Sequence, residues 1–123
     1  MIDVSDEAFW NNLAVLLNDS AIVIDRPKGT THPRYPALHY PLDYGYLDGS
    51  YAGDGQEIDV WAGSGDRSVI AGVVCTIDLH KRDTEVKLLL GCTPSEAETV
   101  LAFHNSGPQA AILILKPSRC GPA

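Results

Sequence analysis

Two stretches in the middle of the chain carry the side chains best suited to chemistry: Tyr40-Pro-Leu-Asp-Tyr-Gly-Tyr-Leu47 and Tyr51-Ala-Gly-Asp-Gly-Gln-Glu-Ile-Asp-Val60. Asp54 and Asp59 flank the Gly55 turn and the start of a strand. If that strand begins near Glu57, alternation puts Glu57, Asp59 and Trp61 on one face and Ile58 and Val60 in the core. A second pair, Asp78 and Asp83, brackets the polar turn His80-Lys81-Arg82, and a hairpin there brings both carboxylates to one end of a barrel. Beyond it Asp83, Glu85 and Lys87 share a face by period two, with Val86 and Leu88 inward. Four acids converging with few bases demand a cation. All-oxygen ligation selects hard Mg2+ or Mn2+ over zinc, and Mg2+ usually bridges carboxylates to a phosphate-bearing substrate.

The basic residues suited to holding a phosphate are Arg26, Lys28 and Arg34 before the Tyr-rich segment, and Lys81, Arg82 and Lys87 around the second acidic pair. Tyr40, Tyr44 and Tyr46 pack a core, and one of their hydroxyls could reach a ligand oxygen. Taken singly, each aspartate is a turn acid, each base a solvated surface charge and His104 a helix-end cap; the grouping is the signal. The acids are out of register for an EF-hand, there is no Walker A sequence, and the glycines form no dinucleotide fingerprint.

These residues need a scaffold, and the hydrophobic pattern supplies one. Apolar residues near helical spacing predict a helix over about 5–18 with Ser5 as N-cap. Short β-branched or apolar runs at Ala21–Asp25, Leu42–Leu47, Ile58–Trp61, Val69–Leu79, Thr84–Cys92 and Ala110–Leu115 read as strands. Thr93-Pro94-Ser95-Glu96 is a capping box opening a helix over about 94–104, which ends near Asn105-Ser106-Gly107-Pro108. Ser118 to Ala123 reads as a loose tail. The expectation is a single domain over 1–123, mainly β with two flanking helices. Its strands, over about 21–92 and 110–116, close fully or partly into a small barrel, because an open sheet of this size exposes its edges.

Composition bounds the function. The chain has 123 residues with 9 Lys and Arg against 16 Asp and Glu, a formal net charge of −7. That balance argues against nucleic acid or an anionic membrane as partner, since both draw on clustered Lys and Arg. Cys75, Cys92 and Cys120 are too few and too scattered for a disulfide framework or a thiolate zinc site. With an acidic N-terminus and no apolar run long enough to span a bilayer, they point to a reducing, cytoplasmic compartment.

The central motifs, taken together, resemble the family I soluble inorganic pyrophosphatases. Those proteins carry Asp-Gly-Asp-Pro-x-Asp-Val after a Tyr-Pro-x-Asn-Tyr-Gly segment, and this chain has Asp54-Gly-Gln-Glu-Ile-Asp-Val60 after Tyr40-Pro-Leu-Asp-Tyr-Gly45. The family's further aspartate pair is spaced as Asp78 and Asp83 are, and the match runs from about Ile22 to about Asn105. The resemblance implies a five-stranded OB-like β-barrel with a Mg2+-rich site in its mouth. It also implies hydrolysis of pyrophosphate to two phosphates by metal-activated water, and a homo-oligomer. Carried over by position, Asp54, Asp59, Asp78 and Asp83 would hold metals, and Asp25 a further one through water. Tyr44 would touch a phosphate oxygen, with Lys28 or Arg34 as basic phosphate ligands.

Three departures from the family pattern stand out. The aspartate credited there as proton acceptor is Gln56, an amide that cannot take a proton, which leaves the neighbouring Glu57 as the substitute. The phosphate-binding lysine is Glu85, with Lys87 one strand repeat further along the same face. The usual Tyr-Lys pair at the end of the last helix is His104-Asn105. Two alternatives to pyrophosphate hydrolysis follow: a phosphohydrolase acting on another phosphate compound, or a catalytically impaired binding module for a metal or a phosphate.

Overall fold

The computed structural model describes residues 4–117, so Cys120 and the segment from Ser118 lie outside the described residues. The elements are α1 (Val4–Asn18), β1 (Ala21–Arg26), β2 (Asp43–Asp48), β3 (Ile58–Ala62), β4 (Ile70–Asp78), β5 (Asp83–Leu90), α2 (Pro94–His104) and β6 (Gln109–Leu115). All six strands join one sheet in the order β1-β2-β3-β5-β4-β6. Only β3 and β5 run parallel; the other neighbours are antiparallel.

The expected five-stranded barrel is therefore corrected to a six-stranded sheet that stays open, with β1 and β6 as its edges. The reason is that both faces are covered. Trp10 and Leu17 of α1 pack with Leu47, Val60, Val73, Leu88 and Leu90 on one face. On the other, Ala97 and Val100 of α2 pack with Tyr40, Leu42, Trp61, Val74 and Leu89. Central strands covered on both sides are apolar at successive positions, as Val60-Trp61-Ala62 and Leu88-Leu89-Leu90 are. The expected assignment of one inward face fails for the same reason. Val86 is 48% exposed, whereas Lys87, on the α2 face, is 5% exposed.

The capping box of α2 forms as read, with Thr93 accepting from the Glu96 amide and Glu96 accepting from the Thr93 amide. Glu96 also accepts from the Ser64 amide, which ties the helix start to the β3–β4 connection. At the other end of the chain α1 begins at Val4, so Ser5 lies inside the helix rather than at its cap. Cys75 and Cys92 are free thiols, and burial pushes the Cys92 thiol up to about 11.

Two local devices place the residues of the α2 face. The first is a bulge in β1: Ile24 pairs with Gly45, but Arg26 pairs with Tyr44, so the extra residue Asp25 turns Arg26 onto the side of the sheet that carries Tyr44. Backbone crowds Gly45 at this point, and a Cβ there would run into the Val23 carbonyl. The second is His104, whose Nε2 accepts from the Trp61 indole at 3.0 Å while Nδ1 donates to Gln109 Oε1 at 2.8 Å. Burial lowers its pKa from 6.5 to about 4, against the opposing pull of the Gln109 bond.

Gly45→Ala is expected to cost about 3 kcal/mol, measured by urea denaturation, because backbone rather than a side chain must yield. His104 sets a pH dependence. The native state keeps it neutral while the unfolded chain protonates it below 6.5, so stability is full above pH 6.5 and falls by about 3 kcal/mol towards pH 4. His104→Gln should flatten that slope, and an unchanged slope would contradict the assignment.

Candidate functional site

A cleft of about 410 Å3 opens on the α2 face over β1, β2, β3 and the β4–β5 hairpin. Its floor is aromatic. Tyr40, 4% exposed, lies with its ring centroid 5.3 Å from Tyr44, 5.7 Å from Trp61 and 5.6 Å from Phe103. His32 stacks on it at 5.7 Å with an 8° interplanar angle. This Tyr40 contact and an isolated Thr31–His39 bridge fix the loop between β1 and β2 as one wall of the cleft.

At the centre of the cleft sits a polar cluster built by alternation on three adjacent strands. Tyr44, Asp59, Glu85 and Lys87 all point to the α2 face, as Tyr40's neighbour Trp61 does. Lys87 Nζ donates to Asp59 Oδ2 at 2.9 Å, to Glu85 Oε1 at 2.8 Å and to the Tyr44 hydroxyl at 2.8 Å. The Tyr44 hydroxyl in turn donates to Asp59 Oδ2 at 2.7 Å. All three ammonium protons are thus used. Burial works against the Lys87 charge, but Tyr44, Asp59 and Glu85 outweigh it and raise its pKa. Burial likewise raises the pKa of Tyr44, which stays a neutral phenol.

A second group lines the rim. Arg26 donates to the Tyr40 hydroxyl at 2.8 Å; among the described residues it makes no direct ion pair with a carboxylate, and Arg34 and Lys81 make no side-chain hydrogen bond or ion pair. All three line the cleft with His32, whose pKa is lowered by burial and then by the charges of Arg26, Lys81 and Arg34. His32 Nδ1 accepts from the Arg34 and Tyr35 amides at 3.0 and 3.2 Å, so its remaining proton sits on Nε2.

Of the residues singled out in the sequence, Asp25, Arg26, Arg34, Tyr40, Tyr44, Tyr46, Asp59, Asp78, Lys81, Glu85, Lys87 and His104 line this cleft. Lys28, Asp54, Gln56, Glu57 and Asp83 are not among its lining residues. Asp54 caps its own turn, accepting from the Gln56 amide at 3.0 Å, and Gln56 and Glu57 are exposed before β3, which starts at Ile58. Lys28 acts through its backbone amide, which donates to Asp43 at 2.8 Å. Asp78 and Asp83 do pair across the hairpin, as the spacing predicts. The Asp78 carboxylate accepts from the Lys81 and His80 amides, which hold its pKa below the usual aspartate range. His104 is committed to Trp61 and Gln109 through both ring nitrogens. Sequence reasoning named Arg26 and Lys81 among the candidate phosphate-binding bases and put Glu85 on the face of Lys87, but did not single out His32, whose stacking on Tyr40 leaves no local signature.

The arrangement does not fit a carboxylate-walled divalent metal centre. Among the described residues no three His, Cys, Asp or Glu side chains converge so as to hold a metal ion. The carboxylate best placed for one, Asp59, gives its Oδ2 to Lys87 and Tyr44.

Comparison with protein-family models finds no match, and comparison with curated proteins finds none. Solved structures do match. An inorganic pyrophosphatase from Helicobacter pylori superposes with a TM-score of 0.55 at 14% identity, covering 78% of this chain and 82% of that one. An inorganic phosphatase from Anaplasma phagocytophilum gives 0.52 at 14% identity, covering 76% and 81%. The chain therefore has a fold similar to that of inorganic pyrophosphatases.

Proposed function

We propose that this protein binds a small phosphate compound in the α2-face cleft, with pyrophosphate as the first candidate. The observation that carries this reading is the rim: Arg26, Arg34 and Lys81 line one cleft with no direct carboxylate ion pair among the described residues, and the charges of all three act on His32. Guanidinium and ammonium groups left with free donors are what a phosphate recognises, and Arg26 keeps most of its donors while anchored by Tyr40. The likeness of fold to inorganic pyrophosphatases supports the same ligand class.

A second reading, Mg2+- or Mn2+-dependent hydrolysis of the bound compound, is favoured by that likeness of fold. It would use Asp25, Asp59 and Asp78 within the cleft, and it requires Lys87 to release Asp59. Asp54, Gln56, Glu57 and Asp83 would have to be brought in from outside the cleft. Among the described residues no helix is long and apolar enough to cross a membrane.

Titration calorimetry with pyrophosphate at low salt tests the binding reading. Binding by the wild type is expected, with Arg26→Ala, Arg34→Ala and Lys81→Ala each weakening it about tenfold, the loss of one charge-assisted bond. Unchanged affinity in all three variants would sink the proposal. Phosphate release that appears with Mg2+ and disappears with EDTA would establish the hydrolytic reading instead.

A further inference from the structure

We infer that the Lys87 ammonium is the resident cation of this cleft, and that it holds Asp59 and Glu85 in the role a divalent metal would otherwise have. The chemistry of the donor set leads to this. Two carboxylate oxygens and a phenol oxygen, from β3, β5 and β2, lie at 2.8 to 2.9 Å from one nitrogen, which is itself nearly excluded from solvent. An ammonium carries three donors, and three acceptors meet them, so the cluster is closed. Tyr44 completes it by donating to the Asp59 oxygen that Lys87 also holds.

The lysine delivers this charge covalently. A metal drawn from solution must shed water and compete with a cation already in place, whereas Lys87 is fixed by the register of β5 between β3 and β4. The one positive charge faces two partly exposed carboxylates, so the pair is not overcompensated, and removing it would leave two like charges facing one gap. That gap is where a hard cation would enter.

The inference concerns the polar floor of the cleft and does not rest on which ligand the rim binds, so it is tested without any phosphate compound. Mn2+ is titrated into 15N-labelled protein, and paramagnetic broadening is followed at the Trp61 indole and at the amides of Asp59 and Glu85. The wild type should show no broadening there at Mn2+ levels that broaden exposed acidic turns such as Asp54. Selective broadening at Asp59 and Glu85 in the wild type would overturn the inference, and this arm needs no variant to fold. Lys87→Ala and Lys87→Met, checked for native circular dichroism, should gain Mn2+ binding at those residues by about tenfold or more, while Lys87→Arg, which keeps a cation, should not. Folded Lys87→Ala with no gain would also count against it.

Discussion

The Lys87 ammonium inside a cage of Asp59, Glu85 and Tyr44 is the constraint on which the cleft depends. A charge held out of water costs several kcal/mol unless its partners are close and complete, and here every proton has an acceptor within 2.9 Å. The cage draws on β2, β3 and β5, so it clasps the three strands beneath the cleft. It also decides what the other side chains can do. With Asp59 and Tyr44 committed to Lys87, the groups left to meet an incoming ligand are those of the rim, Arg26, Arg34 and Lys81.

Around that cage the sheet works as a partition. α1 closes one face with an apolar layer, and the opposite face is divided between the apolar contact with α2 and the polar cleft. Tyr40 and Trp61 sit at the border, where their rings pack into the core and their polar tips reach Arg26 and His104. His104 belongs to this border as a neutral acceptor and donor in one ring, joining the end of α2 to β3 and to the start of β6.

Much of this was legible in the chain. The helix over 94–104 was readable to the residue because Thr93, Pro94 and Glu96 are a local signal that tertiary packing did not override. The strands were readable because β-branched runs between Gly, Pro and Asp have few alternatives. Closure of the sheet was not, because pairing between β3 and β5 is decided by which faces need cover, not by any short stretch of residues. The Leu88-Leu89-Leu90 run did carry the clue that both faces are buried. For the site, period two put Glu85 and Lys87 on one side, and both line the cleft, whereas Asp83, given the same face, is not among its lining residues. Arg26 was named as a candidate base, but its direction was not readable because it depends on the bulge at Asp25, and the fate of Asp59 escaped because it turns on a lysine from a strand that is distant in sequence.

The account stands on Lys87 rather than a metal ion balancing the acids of the cleft, and crystals grown with both Mn2+ and pyrophosphate would test it most directly. Anomalous scattering locates manganese without ambiguity. The account predicts phosphate density against Arg26, Arg34 and Lys81, with Lys87 still within hydrogen-bond distance of Asp59 and Glu85 and no anomalous peak between those carboxylates. An anomalous peak coordinated by Asp59, with the Lys87 side chain swung out of the cage, would contradict it.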